Sequence, residues 1–430
     1  MVEKYFGSSG IRGIANKEIT PQLALKFGLA VGSIYTEVVI AHDPRIPSNM
    51  IENAVIAGLL SAGSKVVKIG MVPTPTLAIA SKNYSCGIMI TASHNPAQYI
   101  GMKVFKDGIS FDTEQQEEIE NSLRKEKFRN ASWENTGNLS TVKNALKEHS
   151  EIILRNIKSA SLKVVVDCGC GAASVLTPYV LRKMGCEVIT LNSQPDGHFP
   201  GREPEPVDEN LSLLKNTVKA AGADLGIAHD GDADRMMSVD NRGRFVSGDK
   251  LLAFFAMREA KKAIAVPVDA SRVIDDLLNG IKISRTKVGD VYVAEMLKKI
   301  QGEFGGEPSG AWIFPKVSYC PDGIFAAARL VEIVSKEGDF SKLLESIPEY
   351  PVKRGAFQCE DKKEAMVKIA SELEKLGVIN TLDGIRVDLE DGWILVRPSG
   401  TEPKIRITVE SKNRCDELYM MTEQIVRKEI

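Results

Sequence analysis

Asp230, Asp232 and Asp234 occupy alternate positions in the run Asp230-Gly231-Asp232-Ala233-Asp234-Arg235, directly after the apolar stretch Leu225-Gly226-Ile227-Ala228 and His229. Three anions this close repel one another unless a cation lies among them, and hard oxygen donors suit Mg²⁺ or Ca²⁺. An EF-hand loop would carry Gly at its sixth position and Glu at its twelfth. Those places hold Arg235 and Asn241, which excludes that loop. Mg²⁺ commonly keeps coordination positions for water or a substrate phosphate, so the trio predicts a metal site completed by phosphate. A solvated acidic turn is the plain alternative.

A second polar run, Thr91-Ala92-Ser93-His94-Asn95-Pro96, follows the apolar Gly87-Ile88-Met89-Ile90. Ser93 at a strand end could be an exposed nucleophile, although no G-x-S-x-G elbow surrounds it. His94 is its chain neighbour, a poor position for a Ser–His pair. Beside a magnesium-type cluster the segment points to phosphoryl chemistry on Ser93, and alone it reads equally as an Asn-Pro turn. Arg397-Pro398-Ser399-Gly400-Thr401-Glu402-Pro403 joins a guanidinium, two hydroxyls and glycine-freed amides in one turn, a set that suits a tetrahedral oxyanion. Arg406 on the following strand could add a second fork. Gly306-Glu307-Pro308-Ser309-Gly310 offers one carboxylate and one hydroxyl, suitable for bridging neighbouring sugar hydroxyls.

These loops need strands to carry them. Short β-branched runs at Val38–Asp43, Lys163–Asp167 and Ala263–Asp269 are each followed by helical periodicity, such as Ile51–Ala62. A glycine then precedes a second strand at Val66–Ile69, Val188–Leu191 and Ile281–Ile283. A third short strand closes each unit and runs into one of the three polar loops. Continuous apolar strands alternating with helices predict parallel sheets buried on both faces, with ligands gathered outside the carboxyl ends of the strands. After Pro351 a helix over Lys362–Leu376 and hairpin-like strands at Gly384–Leu389, Trp393–Arg397 and Lys404–Glu410 predict a smaller α+β module. The expected domains are 1–140 with the serine loop, 141–241 with the metal loop, 242–350 with the sugar-reading loop, and 351–430 with the phosphate loop.

The chain has 430 residues, 43% hydrophobic and 26% charged, with 55 basic against 57 acidic side chains. A near-neutral chain gives no bulk attraction to nucleic acid or anionic lipid, and no apolar run reaches membrane-spanning length. The first residues lack the apolar stretch of a secretory signal. Seven scattered cysteines suit reduced core thiols, and the expected location is the cytoplasm. Phosphate must therefore be held by local donor clusters. There is no G-K-[ST] of a P-loop. Gly169-Cys170-Gly171-Ala172-Ala173-Ser174 departs from the dinucleotide fingerprint at Ser174, and Asn192 stands where its acidic partner belongs.

Taken in order along the whole chain, these segments resemble the α-D-phosphohexomutase family. The others that carry the likeness are Phe6-Gly7-Ser8-Ser9-Gly10-Ile11-Arg12-Gly13, Val72-Pro73-Thr74-Pro75, Pro195-Asp196-Gly197 and Val288-Gly289-Asp290. The resemblance implies three similar mixed or parallel α/β domains and a fourth, more mobile α+β domain around a central cleft. It implies that Ser93 carries a phosphate, and that this phosphate with Asp230, Asp232 and Asp234 holds one Mg²⁺. Arg12, Lys103 and Arg235 would then line the reacting oxygens. Lys103 would serve as general acid/base, which requires that burial or cationic neighbours lower its pKa. Glu307 and Ser309 would read sugar hydroxyls, and Arg397, Ser399, Gly400, Thr401 and Arg406 would grip the non-reacting phosphate. The implied reaction interconverts hexose 6- and 1-phosphates through a 1,6-bisphosphate that also acts as activator.

Three positions depart from the family pattern: Ile100 stands for Asn, Cys170 for Asn and Ala311 for His. The G-E-P-S-G-x-W form is similar to the archaeal-type phosphoglucosamine mutase branch, which favours glucosamine phosphate. Glucose or mannose phosphates, a phosphatase, and a non-catalytic sugar-phosphate regulator remain as alternatives.

Overall fold

The computed structural model describes residues 5–7, 10–399 and 403–430. Three of its four sheets repeat one plan. In the first, Glu37–His42 lies between the parallel strands Lys65–Met71 and Cys86–Ile90, and Tyr99–Lys106 joins the latter antiparallel. In the second, Lys163–Asp167 lies between Glu187–Leu191 and Leu225–His229, followed by antiparallel Met236–Asp240. In the third, Ala263–Pro267 lies between Lys282–Thr286 and Phe304–Gly306, followed by antiparallel Trp312–Ile313. The parallel runs expected from continuous apolar residues are therefore present, but each of these three sheets turns mixed at one side. The sequence signal misses this because a strand such as Tyr99–Lys106, buried on both faces apart from its ends, shows no apolar–polar alternation that would mark it as antiparallel.

The shared plan fixes where the loops go. Each of the three polar loops leaves the carboxyl end of the third strand and returns through the antiparallel fourth, the usual ligand position in such sheets. The fourth sheet is antiparallel throughout, in the order Val352–Gln358, Lys404–Ser411, Gly392–Pro398, Ile385–Leu389, Ile379–Asn380. Its first strand was not anticipated. It is mostly exposed and shows no apolar alternation.

The second sheet ends with Phe245–Val246 paired to Met236–Asp240, a few residues past the expected limit at 241. The reason is packing: one apolar cluster runs continuously from Ile153 through Met236 to Phe255, Trp312 and Phe325. The second and third units thus share a core, with the Trp312 Nε1–H donating to the Met236 carbonyl at 2.7 Å. The first unit keeps a separate core around Phe27, Val38 and Ile88, and the fourth another around Ile369, Val387 and Ile407. All seven cysteines are buried and unpaired. No helix among the described residues is long and apolar enough to cross a membrane.

Candidate active site

Ser93 follows the strand Cys86–Ile90 at φ 51°, a left-handed conformation that non-glycine residues adopt at a cost. A buried network holds it there. The Thr91 hydroxyl accepts from the Ser93 N–H at 2.9 Å and donates to Asp43 Oδ2 at 2.7 Å. Arg45, with no solvent-accessible side chain, pairs with Asp43 at 3.1 Å. Its guanidinium donates to the carbonyls of Ser93 (2.7 Å), Asn95 (2.6 Å), Pro96 (2.7 Å) and Tyr99 (3.0 Å). The ring of Phe199, from the second unit, lies 5.0 Å from that guanidinium. Asp43 and Arg45 were not singled out from the sequence. Their signal was an Asp-x-Arg at the carboxyl end of a strand, a place where buried charge implies a task.

Across the boundary between units, the Ser93 hydroxyl donates to Asp230 Oδ2 at 2.7 Å. His94 Nδ1 stands 3.4 Å from Ser93 Oγ, too far for an effective base. Its pKa falls to about 2 through burial and the cationic neighbours Arg235, Arg12 and Lys103. The close approach depends on Gly231: a Cβ there would come within 2.6 Å of the Ser93 carbonyl.

Asp230, Asp232 and Asp234 are buried, and one oxygen from each lies within 4.8 Å of the others. Asp232 Oδ1 and Asp234 Oδ1 have no hydrogen-bond partner. Burial and mutual repulsion raise the pKa of Asp230 and of Asp234. Buried, unpartnered and converging carboxylate oxygens are a donor set for a hard divalent cation; the residues fit one metal ion.

Lys103 Nζ lies 3.0 Å from Asp232 and 2.6 Å from Asp234. Burial alone would lower its pKa, but the attraction of Asp232 and Asp234 prevails and raises it. The lowered pKa that acid/base work demands is thus absent in this arrangement. For the same pairing, Asp232 stays below the usual carboxylate range although burial opposes it. The Thr74 hydroxyl, from the first unit, also donates to Asp232 Oδ2 at 2.5 Å. Thr74 lay within a quoted motif but was given no role.

A cavity of about 160 Å³ opens beside this centre, lined by Arg12, Ser93, Asp234, Arg235, Val288, Gly289, Asp290, Glu307, Ser309 and Ala311. Arg12, Arg235, Glu307 and Ser309, named from the sequence on separate segments, therefore converge with Ser93. The metal and sugar loops touch through an Arg235–Ala311 bridge. Glu307 Oε1 accepts from the Gly289 N–H at 2.7 Å. Burial, with Asp290 and Asp269 nearby, lifts its pKa to about 8. Ala311 leaves this wall without an imidazole. Ile100 is fully buried in its strand, opposite Gly13. Cys170 adopts φ 54°, a conformation that Asn accepts more readily.

No described residue of the last unit lines this cavity. Arg397 and Arg406 face each other across the antiparallel pair, so two guanidinium-bearing side chains stand on one face of the sheet. The Ser399 carbonyl accepts from Lys362 Nζ at 2.7 Å. Gly400 and Thr401 lie outside the described residues. Asp383 reaches the cavity edge: its Oδ2 is 2.9 Å from Arg397 Nη2 and accepts from the Val288 N–H at 2.9 Å.

Four family models match the chain, each a phosphoglucomutase/phosphomannomutase domain. Alpha/beta/alpha domains I, II and III match residues 3–130, 138–243 and 247–350, and the C-terminal domain matches 356–427. The chain belongs to the phosphoglucomutase/phosphomannomutase family, and its fold is that of a phosphohexomutase, an isomerase. A relative from Methanococcoides burtonii named probable phosphoglucosamine mutase is 57% identical over 99% of both chains. Among solved structures, a phosphoglucomutase/phosphomannomutase family protein from Burkholderia thailandensis superposes with a TM-score of 0.88 at 28% identity, covering 99% of this chain and 98% of its own. A putative phosphomannomutase from Thermus thermophilus gives 0.82 at 25% identity, covering 100% and 99%. The likeness carried by the ordered motifs is borne out.

Proposed function

We propose that the protein interconverts glucosamine 6-phosphate and glucosamine 1-phosphate through phosphorylated Ser93 and a hexose 1,6-bisphosphate that also primes the enzyme. The observation that carries this reading is the Ser93 hydroxyl 2.7 Å from Asp230, beside two further buried carboxylates with unpartnered oxygens. One Mg²⁺, held by Asp230, Asp232, Asp234 and the Ser93 phosphate, would supply charge neutralisation for phosphoryl transfer.

The rest of the chemistry belongs to the chain. Arg12 and Arg235 orient and neutralise the phosphoryl oxygens from the cavity wall. The bond from phosphorus to Ser93 Oγ breaks as the bond to the sugar hydroxyl forms, the hydroxyl proton ends on Ser93 Oγ, and the Lys103 ammonium adds positive charge beside the transferred group. Glu307 and Ser309 hold the sugar. Arg397, Ser399, Gly400, Thr401 and Arg406 grip the phosphate that is not reacting. Because that grip reads only phosphate, the bisphosphate can bind in either direction, as a reversible isomerisation requires.

The choice of glucosamine rests on the sugar end of the cavity. There burial first, and then the negative charge of Asp290 and Asp269, lifts the Glu307 pKa to about 8, and Ala311 contributes no cation. A sugar ammonium relieves this repulsion, whereas a neutral hydroxyl does not. The names of the curated relatives agree. Buried, unpaired cysteines support a reducing, cytoplasmic setting.

A coupled assay with glucosamine, glucose and mannose 6-phosphates at equal concentration, with Mg²⁺ and bisphosphate, tests the reading. The expected order places glucosamine phosphate first. Equal turnover of the neutral sugars would remove the argument from Glu307 and Asp290. Binding without turnover of any of them would favour a regulator.

A further inference from the structure

Among the described residues, one buried histidine takes no part in the chemistry above yet touches all three repeated units. His149, in the helix Ala145–Asn156, has no solvent exposure. Its Nδ1 lies 2.8 Å from the Thr76 hydroxyl, in the helix Thr74–Ser81 of the first unit. Its Nε2 lies 2.9 Å from Asp322 Oδ2 in the third unit. The tautomer with hydrogen on Nε2 satisfies both contacts: the ring donates to Asp322 and accepts from Thr76.

Each partner leads back to the metal loop. Two residues before Thr76, Thr74 bonds Asp232 twice, through its hydroxyl at 2.5 Å and through its N–H to the Asp232 carbonyl at 2.9 Å. Asp322 caps the helix Gly323–Glu337, accepting from the Ile324 and Phe325 N–H groups at 3.0 and 2.9 Å. The first residue of that helix, Gly323, donates its N–H to the Ala233 carbonyl at 3.2 Å. A Cβ on Gly323 would come within 2.4 Å of the Arg235 carbonyl, so the approach is as close as backbone allows. Ala233 itself is held at φ 60°. The chain of contacts closes on itself: Asp232, Thr74, Thr76, His149, Asp322, Gly323, Ala233.

We propose that His149 is a positioning residue for the metal loop, tying the helix that bonds Asp232 to the helix that bonds Ala233. Three carboxylates brought together in a buried place repel, and a loop free to yield would splay them. The closed ring holds Asp232 and Ala233 from two sides and ties both supports to one rigid imidazole. Partners outside the ligand shell orient ligands and set metal affinity in this manner. The inference rests on the reading of Asp230, Asp232 and Asp234 as metal ligands.

The test is Mn²⁺ binding to the full chain, followed by electron paramagnetic resonance, with Ser93 phosphorylation matched by intact mass. Thr76→Val removes one hydroxyl at nearly constant volume. His149→Gln keeps a donor toward Asp322 and loses the acceptor toward Thr76. Each is expected to weaken Mn²⁺ binding by about threefold to tenfold, less than the roughly 10–100-fold typical of partners bonded directly to a ligand. Thr74→Val supplies that larger effect as the reference. Because both substitutions cut the same link, the double variant is expected to bind no more weakly than the poorer single one. Unchanged Mn²⁺ affinity with a lowered thermal midpoint would overturn the proposal and leave His149 as a staple between units. A wild-type protein that binds no Mn²⁺, or binds it equally with Asp232→Asn, would instead remove the metal reading, and the proposal with it.

Discussion

Around Ser93 and Asp230 the supporting side chains, Asp43, Arg45, Thr74 and Thr91, have almost no contact with solvent, whereas the last domain meets its neighbour through a small apolar cluster of Val268, Trp393 and Leu395. The rest of that second junction is polar. Arg386 donates to the Val268 carbonyl and lies over Trp393, while Glu410 Oε1 accepts from both the Arg272 N–H and Trp393 Nε1. The first arrangement cannot shift without breaking the buried Arg45–Asp43 pair and the bonds Arg45 makes to four carbonyls of the serine loop. The second can separate at modest cost, since little apolar area is lost. Transfer of a phosphoryl group needs fixed geometry, and turning a bisphosphate end for end needs a grip that can let go. The contrast suits those two demands.

Four substitutions sharpen or break this contrast. Ser93→Ala should lower isomerase activity by roughly 10⁴-fold or more while the protein still unfolds cooperatively in urea; wild-type turnover would end the phosphoserine account. Arg45→Met leaves Asp43 buried without its partner and is expected to cost about 3–5 kcal/mol of stability by urea unfolding. A neutral outcome would mean that the loop carrying Ser93 is not held through Arg45. At the other region the pattern should invert. Arg397→Met is expected to raise KM by about 10–100-fold, the worth of a charged hydrogen bond, with stability changed by no more than about 0.5 kcal/mol.

The last prediction concerns pH. Glu307 has an ordinary value of 4.5 and a folded value of about 8. Between these pH values the folded protein keeps a proton that the unfolded chain has released, so stability falls as pH rises through that window. Glu307→Gln should flatten this part of the thermal-midpoint profile. Identical slopes in the two proteins would show that the carboxyl is not held neutral by burial.

How far the primary structure could be read differs between strands and supports. The loops at Ser93, Asp230 and Glu307 were legible because each places unusual polar residues after an apolar strand. The antiparallel strands Tyr99–Lys106 and Met236–Asp240 were not, since burial on both faces erases alternation. Val352–Gln358 was missed for the opposite reason, being mostly exposed. Lys103 was recognised by its motif, but its raised pKa follows from carboxylates more than a hundred residues away.

Local chemistry, a strand rhythm and ordered motifs were enough to give the repeat, the metal-type trio, the serine and the family. Those are properties of neighbouring residues, set by side-chain type and backbone preference. Folding alone decided that Ser93 meets Asp230, that Arg45 fastens four carbonyls of one loop, and that His149 closes a ring through three units. Each of these depends on groups far apart in the chain whose meeting is fixed by sheet order and shared core packing.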